Sequence, residues 1–307
     1  MSILVVGDLM LDIYEHVDIY RVSPEAPCLI GLNKFNTYFL GGAANVAHNL
    51  FKLTSEFQLV GKCSIFENTQ FMRLIRDVGI PVNFLNGNIS TKIRFVDTRS
   101  KTQVFRHDIE TPLDDNYQKD FLDINELFSK LPNYPRVLLL VDYRKGMIRP
   151  NSVKFMRSSA INIVSSKSTR PSELLPTKGS ENRVNILVLN QHEFKRLKEY
   201  KEYDYIVRTE GSDGISIIKR EKMEPLYHIP AFPVAVFDVT GAGDTVVAIL
   251  AFCLHKFGFT EENLKKACYI ANREAAQCVA HHGTTVTECT SNTISSFWAA
   301  LDSDGLL

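Results

Sequence analysis

Asp238-Val239-Thr240-Gly241-Ala242-Gly243-Asp244-Thr245 runs directly into Val246-Val247-Ala248-Ile249-Leu250-Ala251-Phe252-Cys253-Leu254. The second segment is apolar on every side, which predicts a helix sunk in a large core rather than one lying on a surface. Its first turn therefore projects from a rigid base. The opening turn of a helix carries unpaired backbone N–H groups and a partial positive charge, and glycines at 241 and 243 let an anion approach that backbone with no Cβ in the way. A phosphate fits such a tip. A carboxylate beside it repels the phosphate unless chemistry requires it, and Asp244 is the natural general base for a substrate hydroxyl. In an isolated Gly-x-Gly-Asp the same aspartate would be a plain helix cap; the whole run favours the base.

Outward from this point, short β-rich runs alternate with helical stretches. Strands are expected at Ile3–Val6, Phe57–Val60, Val82–Leu85, Val137–Val141, Ile161–Val164, Ile186–Leu189 and Tyr205–Val207. Helices are expected after Gly42, near Thr69–Val78, near Ser152–Ser158 and near His192–Tyr200. The rhythm is that of an α/β fold, a parallel sheet flanked by helices, and the near-continuous apolar character of the strands suits a sheet covered on both faces. Residues 13–38 and 89–107 instead alternate polar and apolar residues, as in Lys92-Ile93-Arg94-Phe95-Val96, and predict a small second β-sheet. The polar stretch Ser165–Arg183 reads as a loop.

Composition excludes several classes of function. With 307 residues and 45% apolar content the chain can bury a sizeable core, and one unit spanning 1–307 is expected. Thirty-five basic residues balance 35 acidic ones, so no nucleic-acid footprint is expected. The six cysteines form no Cys-x-x-Cys pair, which predicts neither a zinc site nor a disulfide framework and points to a reducing, cytoplasmic setting. No apolar run reaches membrane-spanning length, so no membrane partner is expected.

The Asp238–Thr245 run resembles the signature of the ribokinase-like sugar kinases, in which Asp-Thr-x-Gly-Ala-Gly-Asp forms an anion hole and its last aspartate deprotonates the attacking hydroxyl. Gly41-Gly42-Ala43-Ala44-Asn45-Val46-Ala47 resembles the family's first signature, about 200 residues earlier and in the expected order. Within the family the nearest likeness is to the kinases of D-glycero-D-manno-heptose 7-phosphate. It is carried by Val6-Gly7-Asp8-Leu9-Met10-Leu11-Asp12, by Tyr20-Arg21-Val22-Ser23-Pro24-Glu25-Ala26-Pro27, by Thr91-Lys92-Ile93-Arg94 with Phe105-Arg106-His107-Asp108, and by Val141-Asp142-Tyr143-Arg144-Lys145-Gly146.

What this resemblance implies is specific. Asp244 is the base, and the main chain of Gly241, Ala242 and Gly243 stabilises the transferring phosphoryl group. Asp12, Gly41, Gly42, Asn45 and Asp142 lie against the sugar, with Arg21, Lys92, Arg94 and Lys145 as cations for its far phosphate. Asn190 and Glu193 organise Mg²⁺ through water, Thr209, Gly211 and Gly214 border the ATP phosphates, and Asn272 lines the adenosine pocket. Asp238 and Thr240 match positions beside a monovalent-cation site. The resemblance further implies ATP and Mg²⁺ as cofactors, a phosphorylated sugar as substrate, the small sheet as a lid through which two copies pair, and a role in nucleotide-activated heptose and lipopolysaccharide synthesis.

Residue by residue, simpler roles compete. Asn190-Gln191-His192-Glu193 is also a capping box, alternating cations on a β-ribbon are commonly a solvated face, and Asp12 could cap a turn. Two departures stand out. Heptose kinases carry Asp-Pro-Lys where this chain has Ser165-Ser166-Lys167, and bulky Tyr143-Arg144 replaces smaller residues. The kinase pattern runs from residue 3 to about 287, so a stand-alone kinase is expected. A relative acting on another sugar or nucleoside, or a silent sugar-binding protein, remains an alternative. A nicotinamide dehydrogenase is disfavoured, because no Gly-x-Gly-x-x-Gly follows Ile3–Val6.

Overall fold

The computed structural model describes residues 3–64, 68–110, 134–148, 160–168, 184–197, 203–220, 222, 224–281, 283 and 286–303. Strand β1 (Ile3–Gly7) is a five-residue apolar run, buried throughout. It lies between β4 (Phe57–Lys62) and β8 (Val137–Asp142), parallel to both. Beyond β4 comes β5 (Val82–Leu85). Beyond β8 come β9 (Ile161–Ser166), β10 (Val184–Asn190) and β11 (Tyr203–Thr209), all parallel. The parallel sheet, its flanking helices and the separate small sheet follow the expected α/β plan.

Two strands at one edge depart from the expected parallel pairing. β12 (Ile215–Lys219) turns back antiparallel on β11, and β13 (Tyr227–Ile229) on β12, giving nine strands in the order β13-β12-β11-β10-β9-β8-β1-β4-β5. The reversal follows from Glu210-Gly211-Ser212-Asp213-Gly214, a tight turn that leaves no residues for a crossover helix.

Strand residues alternate between two cores, as their period of two requires. Ile3, Val5, Val137 and Leu139 face α1 (Ala43–Leu53), α4 (Ala242–Phe257) and α5 (Glu261–Cys278), whereas Leu4, Val6, Leu138 and Leu140 face the side that carries Phe194 and Leu197. The apolar run after Asp244 forms the expected buried helix: every residue of α4 from Asp244 to Leu254 is buried. The remaining helices are α2 (Thr69–Val78), α3 (Gln191–Lys195) and α6 (Ser291–Ser303). α3 is shorter than the expected His192–Tyr200, whose last residues lie outside the described ones. The helix expected near Ser152–Ser158 lies there too. Ser165 and Ser166, expected in a loop, extend β9.

The small sheet is longer than its alternation suggested, because the apolar residues at its root belong to both layers. β2 (Leu9–Val22) follows β1 after a single residue, β3 (Leu29–Gly42) returns antiparallel, and β6 (Ser90–Asp97) and β7 (Gln103–Ile109) complete the order β3-β2-β6-β7. Its root is buried and its outer part exposes Val22, Leu29, Leu32, Phe35 and Phe105.

Candidate active site

The tip of α4 has the geometry that its glycines require. Gly241, at φ 90°, turns the chain into the helix through a left-handed conformation that side chains resist. A Cβ built on Gly243 would meet no atom within 4 Å, so the approach to this turn is open. Asp244 follows, only 7% exposed. Its Oδ2 accepts a 2.9 Å hydrogen bond from Asn45 Nδ2 and its Oδ1 a 2.7 Å bond from the Tyr143 hydroxyl. Burial raises its pKa, while Asn45, Tyr143 and the charge of Lys167 oppose the rise. These opposing influences suit a group that must take up a proton.

Asn45 is in turn fixed from α1. One helical turn later, Asn49 Nδ2 donates to the Asn45 carbonyl at 2.9 Å, and Asn49 Oδ1 accepts from the Thr287 backbone at 2.9 Å and the Thr245 hydroxyl at 3.2 Å. Asn45 and Asn49 are polar intruders at i and i+4 on an apolar helix, a signal that could have marked Asn49 in the sequence.

The lid root supplies the facing wall. Strand register sets Lys92 opposite Asp12 and Arg94 opposite Tyr14. Arg94 Nη1 bonds Asp12 Oδ1 at 2.5 Å with both side chains buried, and the Arg94 guanidinium lies 5.1 Å from the Tyr14 ring centre. Burial lowers the pKa of Lys92. Gly41 and Gly42 close this wall: a Cβ on Gly41 would stand 2.4 Å from Asp12 Oδ2, and one on Gly42, at φ +58°, would stand 2.5 Å from the Asp8 carbonyl. Arg21 is not brought to this group. It sits exposed on the outer part of β2, roughly 30 Å from Asp12 at ~3.3 Å per residue.

The segment after β8 forms a clamp around Asp8. The Asp8 carboxylate accepts backbone N–H bonds from Tyr143 (2.8 Å), Lys145 (3.0 Å) and Met147 (2.9 Å). Burial, with the nearby Asp142 charge, nevertheless raises its pKa to about 6. Asp142 is buried, accepts from Ser166 Oγ at 2.6 Å and from the Arg144 backbone at 2.9 Å, and so shapes the clamp. Ser166 thus uses the strand extension to hold Asp142. The ammonium of Lys145 pairs with Glu110 at the end of the lid.

On the other side, Asn190 and Glu193 form the capping box: Glu193 N to Asn190 Oδ1 and Asn190 N to Glu193 Oε2 are both 2.8 Å. Lys167 bonds Glu193 Oε1 at 2.5 Å, so its ammonium links β9 to α3. Thr209 pairs with Asn190 in register at the same strand ends, and Gly211 and Gly214 frame the turn that follows. Asn272 is committed elsewhere: its amide donates to the Pro230 carbonyl at 2.8 Å. Among the described residues, no three His, Cys, Asp or Glu side chains cluster as a metal site. Asp238 accepts from Thr240 N (2.9 Å), the Tyr14 hydroxyl (3.1 Å) and Gly283 N (3.1 Å). Burial would raise its pKa, but these bonds outweigh it and lower it.

Asp244, Asn45, Tyr143, Lys92, Asp12 and Arg94 therefore form one connected group, with Lys167, Glu193 and Asn190 beside it. Asn49, Tyr14 and Lys167 were not assigned from the sequence, and Tyr143 drew notice there only as a bulky departure.

Residues 180–290 match the family described as pfkB family carbohydrate kinase. The bifunctional protein HldE of Psychromonas ingrahamii is 30% identical over 305 residues, covering 92% of this chain and 61% of that protein. The chain thus spans about three-fifths of the length of the curated relatives it matches. A nucleoside kinase of Methanocaldococcus jannaschii, an archaeal member of the ribokinase family, superposes with a TM-score of 0.66 at 21% identity, covering 98% of this chain and 99% of that one. Phosphofructokinase-2 of Escherichia coli, solved with potassium, gives 0.70 at 15% identity with coverage of 98% and 99%.

Proposed function

We propose that this chain, whose residues 180–290 match the pfkB family of carbohydrate kinases, is an ATP- and Mg²⁺-dependent kinase that phosphorylates the anomeric hydroxyl of D-glycero-D-manno-heptose 7-phosphate. The observation that carries the kinase chemistry is the buried Asp244 on the first turn of α4, held at both carboxylate oxygens beside an open, glycine-lined helix tip. Asp244 takes the proton of the acceptor hydroxyl as its oxygen bonds to the γ-phosphorus. The bond from that phosphorus to the β–γ bridging oxygen breaks, and its electron pair leaves with ADP. The amides of the 241–243 turn donate to the oxygens that gain charge.

Asn190 and Glu193 would hold the metal through water, since their hard oxygen donors fit Mg²⁺ and a magnesium site uses few protein ligands. When bound, the ion neutralises triphosphate charge. Lys167, already on Glu193, adds a cation beside the same phosphates.

The choice of a phosphorylated acceptor rests on the lid cations Lys92 and Arg94, on Lys145 after β8, and on the Arg21–Pro27 run quoted above. With ATP and the heptose 7-phosphate, ³¹P NMR is expected to show a new anomeric phosphate and ADP. Turnover of a different sugar instead would move the acceptor assignment, and no ADP with any sugar would favour a silent binding protein. The product would feed nucleotide-activated heptose for a surface glycan such as lipopolysaccharide, made in the cytoplasm; among the described residues no helix is long and apolar enough to cross a membrane.

In the same proposal, a second copy covers the apolar outer part of the lid, where Val22, Leu29, Leu32, Phe35 and Phe105 lie exposed. Sedimentation equilibrium is expected to give twice the chain mass of 34.8 kDa, and a monomer at micromolar concentration would retire the dimer.

A further inference from the structure

Tyr143 stands where the two halves of the site meet. Its hydroxyl donates to Asp244 Oδ1 at 2.7 Å, and two ammonium groups lie near its ring, Lys92 Nζ 5.5 Å and Lys167 Nζ 5.3 Å from the ring centre. Lys92 comes from β6 of the lid. Lys167 follows β9 and pairs with Glu193. The ring's backbone is equally fixed, since Tyr143 N donates to the buried Asp8 carboxylate at 2.8 Å. A side chain contacted by two cations and held at its root has little freedom left, so its hydroxyl delivers a directed hydrogen bond.

We infer that Tyr143 is the positioning residue for the catalytic aspartate: with Asn45 on Oδ2 and Tyr143 on Oδ1, the carboxylate plane is fixed, while the remaining lone pairs of Oδ1 and Oδ2 stay available to the acceptor hydroxyl. A carboxylate accepts at about four sites, so two protein donors do not exhaust it. This rests on Asp244 being the base, as proposed above. The bulk that set Tyr143 apart in the sequence becomes its function, because no smaller side chain at 143 would carry a hydroxyl to Asp244.

The pH dependence follows with a definite sign. Asp244 is faced by Tyr143 after β8, Asn45 on α1, Lys167 after β9 and Asp12 on β2, with Lys92 of β6 lying on the tyrosine ring. Burial and Asp12 favour the protonated form; Asn45, Tyr143 and Lys167 favour the ionised one. The phenol itself stays protonated, since burial and then the Asp244 charge hold its pKa well above the usual tyrosine value. It is therefore a permanent donor. Removing it takes away one bond to the charged form, so the base protonates at higher pH and the acid limb of kcat moves upward.

Tyr143→Phe, which keeps the ring near both lysines, tests this with the ADP-release assay from acid to neutral pH. At the pH where the parent runs at half its maximum, the variant, scaled to its own plateau, is expected to run about tenfold slower, as loss of one charge-assisted bond would give. A lower plateau with an unmoved acid limb would make Tyr143 merely structural and overturn the inference. A faster variant with an unmoved limb would make it an obstacle to the acceptor and overturn it equally. Asp244→Asn run in parallel separates the two readings: if it still turns over, the base assignment fails; if it is inactive while Tyr143→Phe leaves the limb in place, only the role of Tyr143 fails.

Discussion

Asp244→Asn is expected to lower kcat by about 10²- to 10⁴-fold, the range associated with loss of a positioned general base. The substitution preserves shape. The new amide can still accept from Asn45 or from Tyr143 through its oxygen, but not from both, because its nitrogen now presents hydrogens to whichever donor it faces. Some loss of order in the site is therefore expected along with the loss of basicity. ATP contacts the helix tip and the Asn190–Glu193 side in the proposed mechanism, so its dissociation constant should change little. Equilibrium titration with a non-hydrolysable nucleotide, alongside single-turnover kinetics, checks both halves. Turnover near the parent rate would remove Asp244 from its role.

Arg94→Met should produce the largest loss of stability among the site residues. Asp12 and Arg94 are both buried, and removing the guanidinium leaves a carboxylate in a low-dielectric setting without its bidentate-capable partner. Breaking such a pair typically costs about 3–5 kcal/mol. Lys92 lies opposite Asp12 in the strand register and offsets part of this, so about 3 kcal/mol is expected. Urea unfolding gives the number. Adding Asp12→Asn to the same chain should recover a substantial part of the loss, since the stranded charge is then gone. A single variant within about 0.5 kcal/mol of the parent would mean that water or Lys92 already satisfies Asp12.

Much of the architecture could be read from the sequence because the strands of a doubly covered sheet are short, apolar and evenly spaced. Val82–Leu85 and Thr69–Val78 emerge with the expected bounds. The edge strands β12 and β13 did not stand out. Ile215-Ser216-Ile217-Ile218-Lys219 resembles any other apolar run, and only the pairing partner decides its direction. Residues 261–278 were equally silent, because Lys and Glu punctuate their apolar face. The site shows the same division. Gly241, Gly243 and Asp244 are neighbours in the chain, so their joint purpose is visible there. Tyr143 reaches Asp244 across 101 residues, and Asp12 reaches Arg94 across 82, by way of strand order and register that no local pattern encodes. Residue type is a weak guide for a lone cation such as Arg21, whose place depends on how far along its strand it falls.

β1 passes into β2 with only Asp8 between them, and the Ala43 amide at the foot of β3 bonds the Asp8 carbonyl at 2.9 Å. Both long arms of the lid are thus rooted at one pivot, and that pivot is bolted through its carboxylate to the segment bearing Tyr143. One aspartate thus anchors the small sheet through its main chain and the Tyr143 segment through its carboxylate, so a substitution at Asp8 is expected to loosen both together.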